Sequence, residues 1–207
     1  RSWFNKQSTS IRDRALDPEE CLQDSLSYLV RDRHPRSKPT YMEDIEAFDP
    51  QIGARFFRER FANLGDFQWV FVGNFDADLL KRYCELYLGN SVPNAQPENV
   101  RDDGIRYRQG KHNFELRKGI ADRAVVRVVG NGYLNATPEA RTQLSLASML
   151  VNEKLRENIR ENRSGVYYVY CYGNISMDPV PETVTYLSLG CSTDRVDELL
   201  AASYATL

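Results

Sequence analysis

Apolar residues recur along this chain in two rhythms. Leu22, Leu26, Leu29 and Val30 return at three- and four-residue steps behind Asp17-Pro18-Glu19-Glu20, which reads as an N-cap, a proline at the first helical position and first-turn acids. Thr40 with Glu43 forms a capping-box pair for a short helix over Tyr41–Ala47. Asp49-Pro50 opens another helix, carrying Ile52, Phe56, Phe57 and Phe61 and ending at Asn63-Leu64-Gly65-Asp66. Asp76 caps a helix striped by Leu79, Leu80, Tyr83, Leu86 and Tyr87. Thr137-Pro138-Glu139 caps a long one, with Leu144, Ala147, Val151, Leu155 and Ile159 on one side. The final helix opens at Ser192/Thr193. Residues 1–16 are polar and read as loop or frayed helix.

The second rhythm is that of β-strands. Phe67–Gly73, Asn113–Arg117, Arg123–Val129, Val166–Tyr172 and Thr183–Cys191 are strand candidates. The last has apolar residues on both faces, as a strand covered on both sides for part of its length would. Gly130-Asn131-Gly132 reads as a loop after a strand. It opens no helix and has no third glycine in place, so it is no dinucleotide fingerprint. Helices and hairpin-like strands come in separate runs, which predicts an α+β fold with a mostly antiparallel sheet. The chain is read as one domain, 1–207. Its first half covers about 17–90, a polar linker with Pro93 and Pro97 about 91–111, and its second half about 112–207. It starts without Met and stops inside the periodic run Val196, Leu199, Leu200, Tyr204, Leu207, so it is expected to be part of a longer protein.

Charge removes some classes of function. Lys plus Arg is 27 and Asp plus Glu is 29, a formal charge of −2, which argues against a dedicated nucleic-acid binder. A 42% hydrophobic content beside 27% charged residues excludes a wholly disordered chain. Nowhere is there a long uncharged apolar run, so no membrane-spanning helix is expected. Cys21, Cys84, Cys171 and Cys191 are widely spaced without a CxxC, and read as free thiols. His34 and His112 are the two histidines, and neither has a helical partner at zinc-ligand spacing. There is no HExxH, HxxEH or GxSxG. Three Asn-x-Ser/Thr triplets, at Asn135, Asn162 and Asn174, stand without other signs of a glycosylated context.

The stretch LRENIRENRSGVYYVYCYG, residues 155–173, carries the chemistry. A helix ends among Arg156, Arg160 and Arg163, where cations favour the C-terminal dipole, and that alone is an ordinary structural role. A turn at Ser164-Gly165 also brings the chain back, so that Arg160 and Tyr167 could converge. Guanidinium and phenol both donate hydrogen bonds, and together they suit a carbonyl oxygen that becomes an oxyanion during acyl transfer. Strand alternation is expected to turn Tyr168 away from Tyr167, and the aromatic run Tyr167–Tyr172 also fits plain strand filling.

These segments, in order, resemble one half of the M16 (pitrilysin/insulinase) zinc metallopeptidases. The matching pieces are FFRERFANLGDFQWVFVGNFDADLLKRYCELYLGNSVP, KLRENIRENRSGVYYVYCYG and ETVTYLSLGCSTDRVDELLAA, from about Asp17 to the end. The FVGNFD and SGVYYV wording is most similar to large bacterial members. The resemblance implies paired α+β domains, one with an HxxEH zinc site and another that supplies Arg and Tyr from the facing wall. This chain, without HxxEH and with six residues between Arg160 and Tyr167, resembles the second kind. It implies no cofactor in this chain, zinc in an HxxEH-bearing partner domain of the same full-length protein, and a peptide or unfolded polypeptide as substrate. It also implies a periplasmic or exported location. The family includes non-catalytic members, so a structural or peptide-binding module of the same fold stays open beside the peptidase half. So does an unrelated α+β interaction domain.

Overall fold

Three β-branched and aromatic runs pair into one antiparallel sheet of order β1-β3-β2: β1 Ala124–Gly132, β2 Val166–Ser176 and β3 Glu182–Cys191. The computed structural model describes residues 2–62, 67–89, 99–161 and 165–207, with the backbone alone of Arg160 and Glu161. β3 lies between its neighbours, with Val126 and Val169 opposite Leu189, and Val128 and Cys171 opposite Leu187. Its residues Leu187 to Cys191 are all buried, so both faces are covered there, as the apolar residues on both faces led one to expect. Gly130 to Gly132, expected to be loop, extend β1 opposite Thr185–Thr183. A Cβ at Gly130 would meet Thr185 Oγ1 at 2.7 Å, so glycine is what lets the ladder run on.

One face of the sheet is the core. Leu187, Leu189 and Cys191 pack with Leu155 and Ile159 from the long helix region and with Leu199 from the last helix, all buried. That long helix, α6, spans Pro138–Leu155, and its Thr137 cap accepts from Ala140 N at 3.1 Å. Of the expected stripe, Val151, Leu155 and Ile159 pack into the core, while Ala147 is exposed. The last helix, α7 Val196–Thr206, follows a 3-10 turn at Thr193–Arg195. Asn152 of α6 reaches the edge of β2, where its side chain donates to Cys171 O and accepts from Cys171 N, both at 2.6 Å.

The chain divides into two compact units, Arg1–Tyr41 with Asp102–Leu207, and Met42–Arg101. In the first, α1 Ser2–Leu16 and α2 Pro18–Leu29 precede the sheet. Asp17 caps α2 as expected, accepting from Glu19 N at 2.7 Å. The polar start is a regular helix rather than loop, since packing against α2, including an Arg14–Asp24 ion pair, supports what propensity does not. Segments 30–36 and 102–108 are tied by Arg108 N to Val30 O at 2.8 Å and by the Arg36–Asp103 pair at 2.8 Å.

The second unit holds α3 Met42–Glu46, α4 Pro50–Phe61 and α5 Ala77–Tyr87. Asp49 and Asp76 cap the last two as expected. The expected end of α4 at 63–66 and residues 91–98 of the expected linker lie outside the described residues. Phe67–Gly73, expected as a strand, carries no strand pairing among the described residues, and neither does 113–117. Val70 and Val72 are exposed instead. β-propensity marks a residue that suits a pleated, half-buried surface, and without a partner ladder it produces no strand.

Candidate functional site

Past Leu155, α6 opens into a π-helical segment, Arg156–Glu161. Leu155 and Ile159, both fully buried, hold this segment onto the sheet. The wider turn re-aims the residues that follow it, a feature frequent at functional sites. Arg160 is the next residue after the Ile159 anchor. Its side chain, and the whole of Arg163 and Ser164, lie outside the described residues. Arg156, the first arginine of the cluster, pairs with Glu153 at 2.6 Å.

Gly165 restarts the chain with φ +78°, a left-handed value that favours glycine, and its carbonyl accepts from Ser192 N at 3.2 Å. β2 then begins with an irregularity. Val166 lies opposite Cys191 and Tyr168 opposite Gly190, so Tyr167 is an extra residue with no cross-strand partner. This overturns the expected alternation. The rings of Tyr167 and Tyr168 both lie by the Arg123 guanidinium, with centroids 5.7 and 6.0 Å away. An inserted residue breaks the two-residue period, which no count along the sequence shows. Tyr167 is 52% exposed, so its phenol is open to a ligand.

Tyr168 is anchored. Its hydroxyl donates to Glu19 Oε1 at 2.7 Å, and its ring covers Gly190, where a Cβ would meet ring carbons at 2.5 Å. Burial, and then the Glu19 carboxylate, push its phenol above the usual range. Beyond it, Tyr170 and Tyr172 continue one row, with centroid separations of 5.8 and 6.3 Å, and Tyr172 stacks on Tyr186 at 4.9 Å. Burial, then the neighbouring Tyr107, raise the Tyr186 phenol strongly. Tyr107 lies under Arg31, whose guanidinium stands 3.5 Å from the ring centroid and pairs with buried Glu182 at 2.8 Å.

The sheet face away from the core is therefore tyrosine-lined, with Arg123 and Arg127 both directed at Glu19, at 3.4 and 3.9 Å. Glu19, Arg123 and Arg127 escaped the sequence reading, because they come from α2 and β1 and only the sheet register brings them together. The spacing of Tyr168, Tyr170 and Tyr172 two residues apart was the available signal.

No group of three or more His, Cys, Asp or Glu among the described residues could hold a metal ion. His34 hydrogen-bonds Asp103 O at 3.1 Å, and His112 lies against Gln109 O at 2.7 Å. All four cysteines are free thiols. None of the described helices is long and apolar enough to cross a membrane.

The architecture is that of an α+β domain that presents a broad aromatic sheet face. Residues 54–207 match the family model described as the Peptidase M16 inactive domain, and the chain belongs to that family as a C-terminal-type M16 domain. It is similar to the structure of the periplasmic protease PqqL from Escherichia coli, with TM-score 0.81 and 21% identity over 99% of this chain. It is also similar to a mutant of the ferredoxin protease FusC in complex with Arabidopsis ferredoxin, with TM-score 0.74 and 15% identity over 98% of this chain. The chain spans 22% of the length of each. A search of curated proteins by sequence found no match.

Proposed function

We propose that residues 1–207 act as one M16-type domain forming the non-zinc wall of a peptidase. In this reading it closes over a peptide or unfolded polypeptide while Arg160 and Tyr167 donate hydrogen bonds to the substrate carbonyl oxygen. The observation that carries the reading is Tyr167 at the start of β2, exposed and without a cross-strand partner, at the Arg160-to-Tyr167 spacing of this family. A donor held on a rigid sheet keeps its geometry as charge develops on the oxygen, which is where such a group lowers the barrier. The zinc belongs, in this proposal, to an HxxEH-bearing domain of the same polypeptide, a reading supported by the match to the inactive domain of the family. A periplasmic or exported setting is part of the same proposal.

The test is made in the intact protein with a quenched fluorescent peptide. Tyr167→Phe and Arg160→Ala are expected each to lower kcat by about 10²–10³ with little change in KM. Unchanged kcat in both variants refutes the oxyanion role. The match to an inactive domain also supports a second reading, a peptide-binding module without catalysis. Binding of peptide by an intact protein without chelator-sensitive peptidase activity would select that one.

A further inference from the structure

One cross-strand row on the tyrosine face contains Arg127 of β1, Ser188 of β3 and Tyr170 of β2. Two buried polar atoms there, Arg127 Nε and Ser188 Oγ, have no hydrogen-bond partner among the described residues. Ser188 is 1% exposed. Its hydroxyl lies beside the Tyr168 phenol and favours the phenolate there, against the larger effects of burial and Glu19. Arg127 has five donors, yet its contacts are long: Nη1 to Tyr170 Oη at 3.4 Å and Nη2 to Glu19 at 3.9 Å. The Nε and Oγ atoms are closed to solvent, so a ligand would meet Arg127 through its outer guanidinium nitrogens, which make these two long contacts and belong to a side chain that is 19% exposed.

Charge points to the nature of that ligand. Among the described residues, Arg123 and Arg127 share the Glu19 carboxylate, which also accepts from Tyr168, so two guanidinium groups here face one carboxylate. The Arg31–Glu182 pair at the other end balances itself. An anion is favoured, and a planar carboxylate matches the guanidinium fork.

The aromatic row sets the shape of the rest. Same-face side chains of an extended polypeptide repeat about every 6.6 Å. The Tyr168, Tyr170 and Tyr172 rings are spaced 5.8 and 6.3 Å apart, and the last two are exposed. An extended chain along β2 would set alternate side chains on successive rings, which favour apolar and aromatic partners.

We propose that the tyrosine face at Arg127 and Tyr170 is a subsite for an acidic side chain of an extended polypeptide whose flanking alternate residues are apolar or aromatic. This deepens the reading of the domain as a peptide-binding wall and does not depend on catalysis. The test uses the intact protein with EDTA, so that peptide is bound and not turned over. Binding is read by fluorescence anisotropy with two labelled peptides that differ by one Glu or Gln, flanked by Phe two residues away on each side.

The Glu peptide is expected to bind about tenfold more tightly, as a charge-assisted hydrogen bond would give, and the preference shrinks as salt is added. Arg127→Gln abolishes the preference. Tyr172→Ala weakens both peptides and keeps their ratio. Where Arg127→Gln does not fold, Arg127→Lys is expected to reduce the ratio while keeping the charge. Affinities within about twofold in the unmodified protein, or no binding of either peptide, overturn the proposal. Loss of the oxyanion role is separate: unchanged kcat in Tyr167→Phe would leave the Glu-over-Gln preference standing.

Discussion

Gly190→Ala is the substitution that reads the tyrosine face most directly. The new Cβ would lie 2.5 to 2.9 Å from three ring carbons of Tyr168, closer than carbon atoms tolerate, so the ring must lift. Overpacking of this kind costs about 1–3 kcal/mol. A lifted ring also loses its hydroxyl bond to Glu19, worth roughly 1 kcal/mol given the 36% exposure of the Glu19 side chain. Against this, Gly→Ala restricts the unfolded chain and returns about 0.4–1 kcal/mol. The net loss is roughly 1–3 kcal/mol, or about 2–10 °C in Tm at this chain length. The assay is thermal unfolding followed by near-UV circular dichroism, which reports the tyrosines of the sheet. Tyr168→Ala removes the obstruction, so the two substitutions together must cost less than the sum of their separate effects, by about 1 kcal/mol or more. A Tm unchanged by Gly190→Ala, or strict additivity in the double variant, would refute the close approach of ring and glycine.

Three further outcomes follow from the same packing. Asn152→Ala leaves the Cys171 N–H and C=O on the edge of β2 without their side-chain partner, so stability falls by roughly 1–3 kcal/mol and Cys171 amide exchange accelerates. Glu182→Gln keeps the shape but removes the charge that holds Arg31 and accepts from Tyr107 N at 3.2 Å, and is expected to cost about 2–3 kcal/mol in a urea titration. Tyr168 keeps its proton longer when folded than when unfolded, because burial and Glu19 raise its phenol. Its contribution is therefore complete below about pH 10 and is lost as pH climbs through the raised value. Tyr168→Phe should flatten part of that alkaline decline in urea midpoints measured from about pH 9 to 11.

The sequence made local signals plain and hid those that depend on a partner. Asp17, Asp49, Asp76 and Thr137 announce helix starts because a cap is satisfied within three residues of itself. The three strands of the sheet were legible in their β-branched and aromatic runs, while the place of β3 between the other two came only with the pairing. Phe67–Gly73 has the same composition and forms no ladder among the described residues, since pairing is a property of two segments. Gly130–Gly132 misled in the opposite sense, because their fit beside Thr185 and Thr183 is invisible until β3 is present. At the site, Arg160 and Tyr167 rest on spacing and family resemblance. Arg123, Arg127 and Glu19 needed the register of β1 and the placement of α2.

The extra residue at the start of β2 has an evolutionary consequence. A side chain paired across a sheet cannot change without disturbing its neighbour on the next strand. Tyr167 has no such neighbour, so the position can be exchanged while Val166 and Tyr168 keep their places opposite Cys191 and Gly190. Under the role proposed for Tyr167, the donor can be gained or lost by one substitution while the scaffold stays intact.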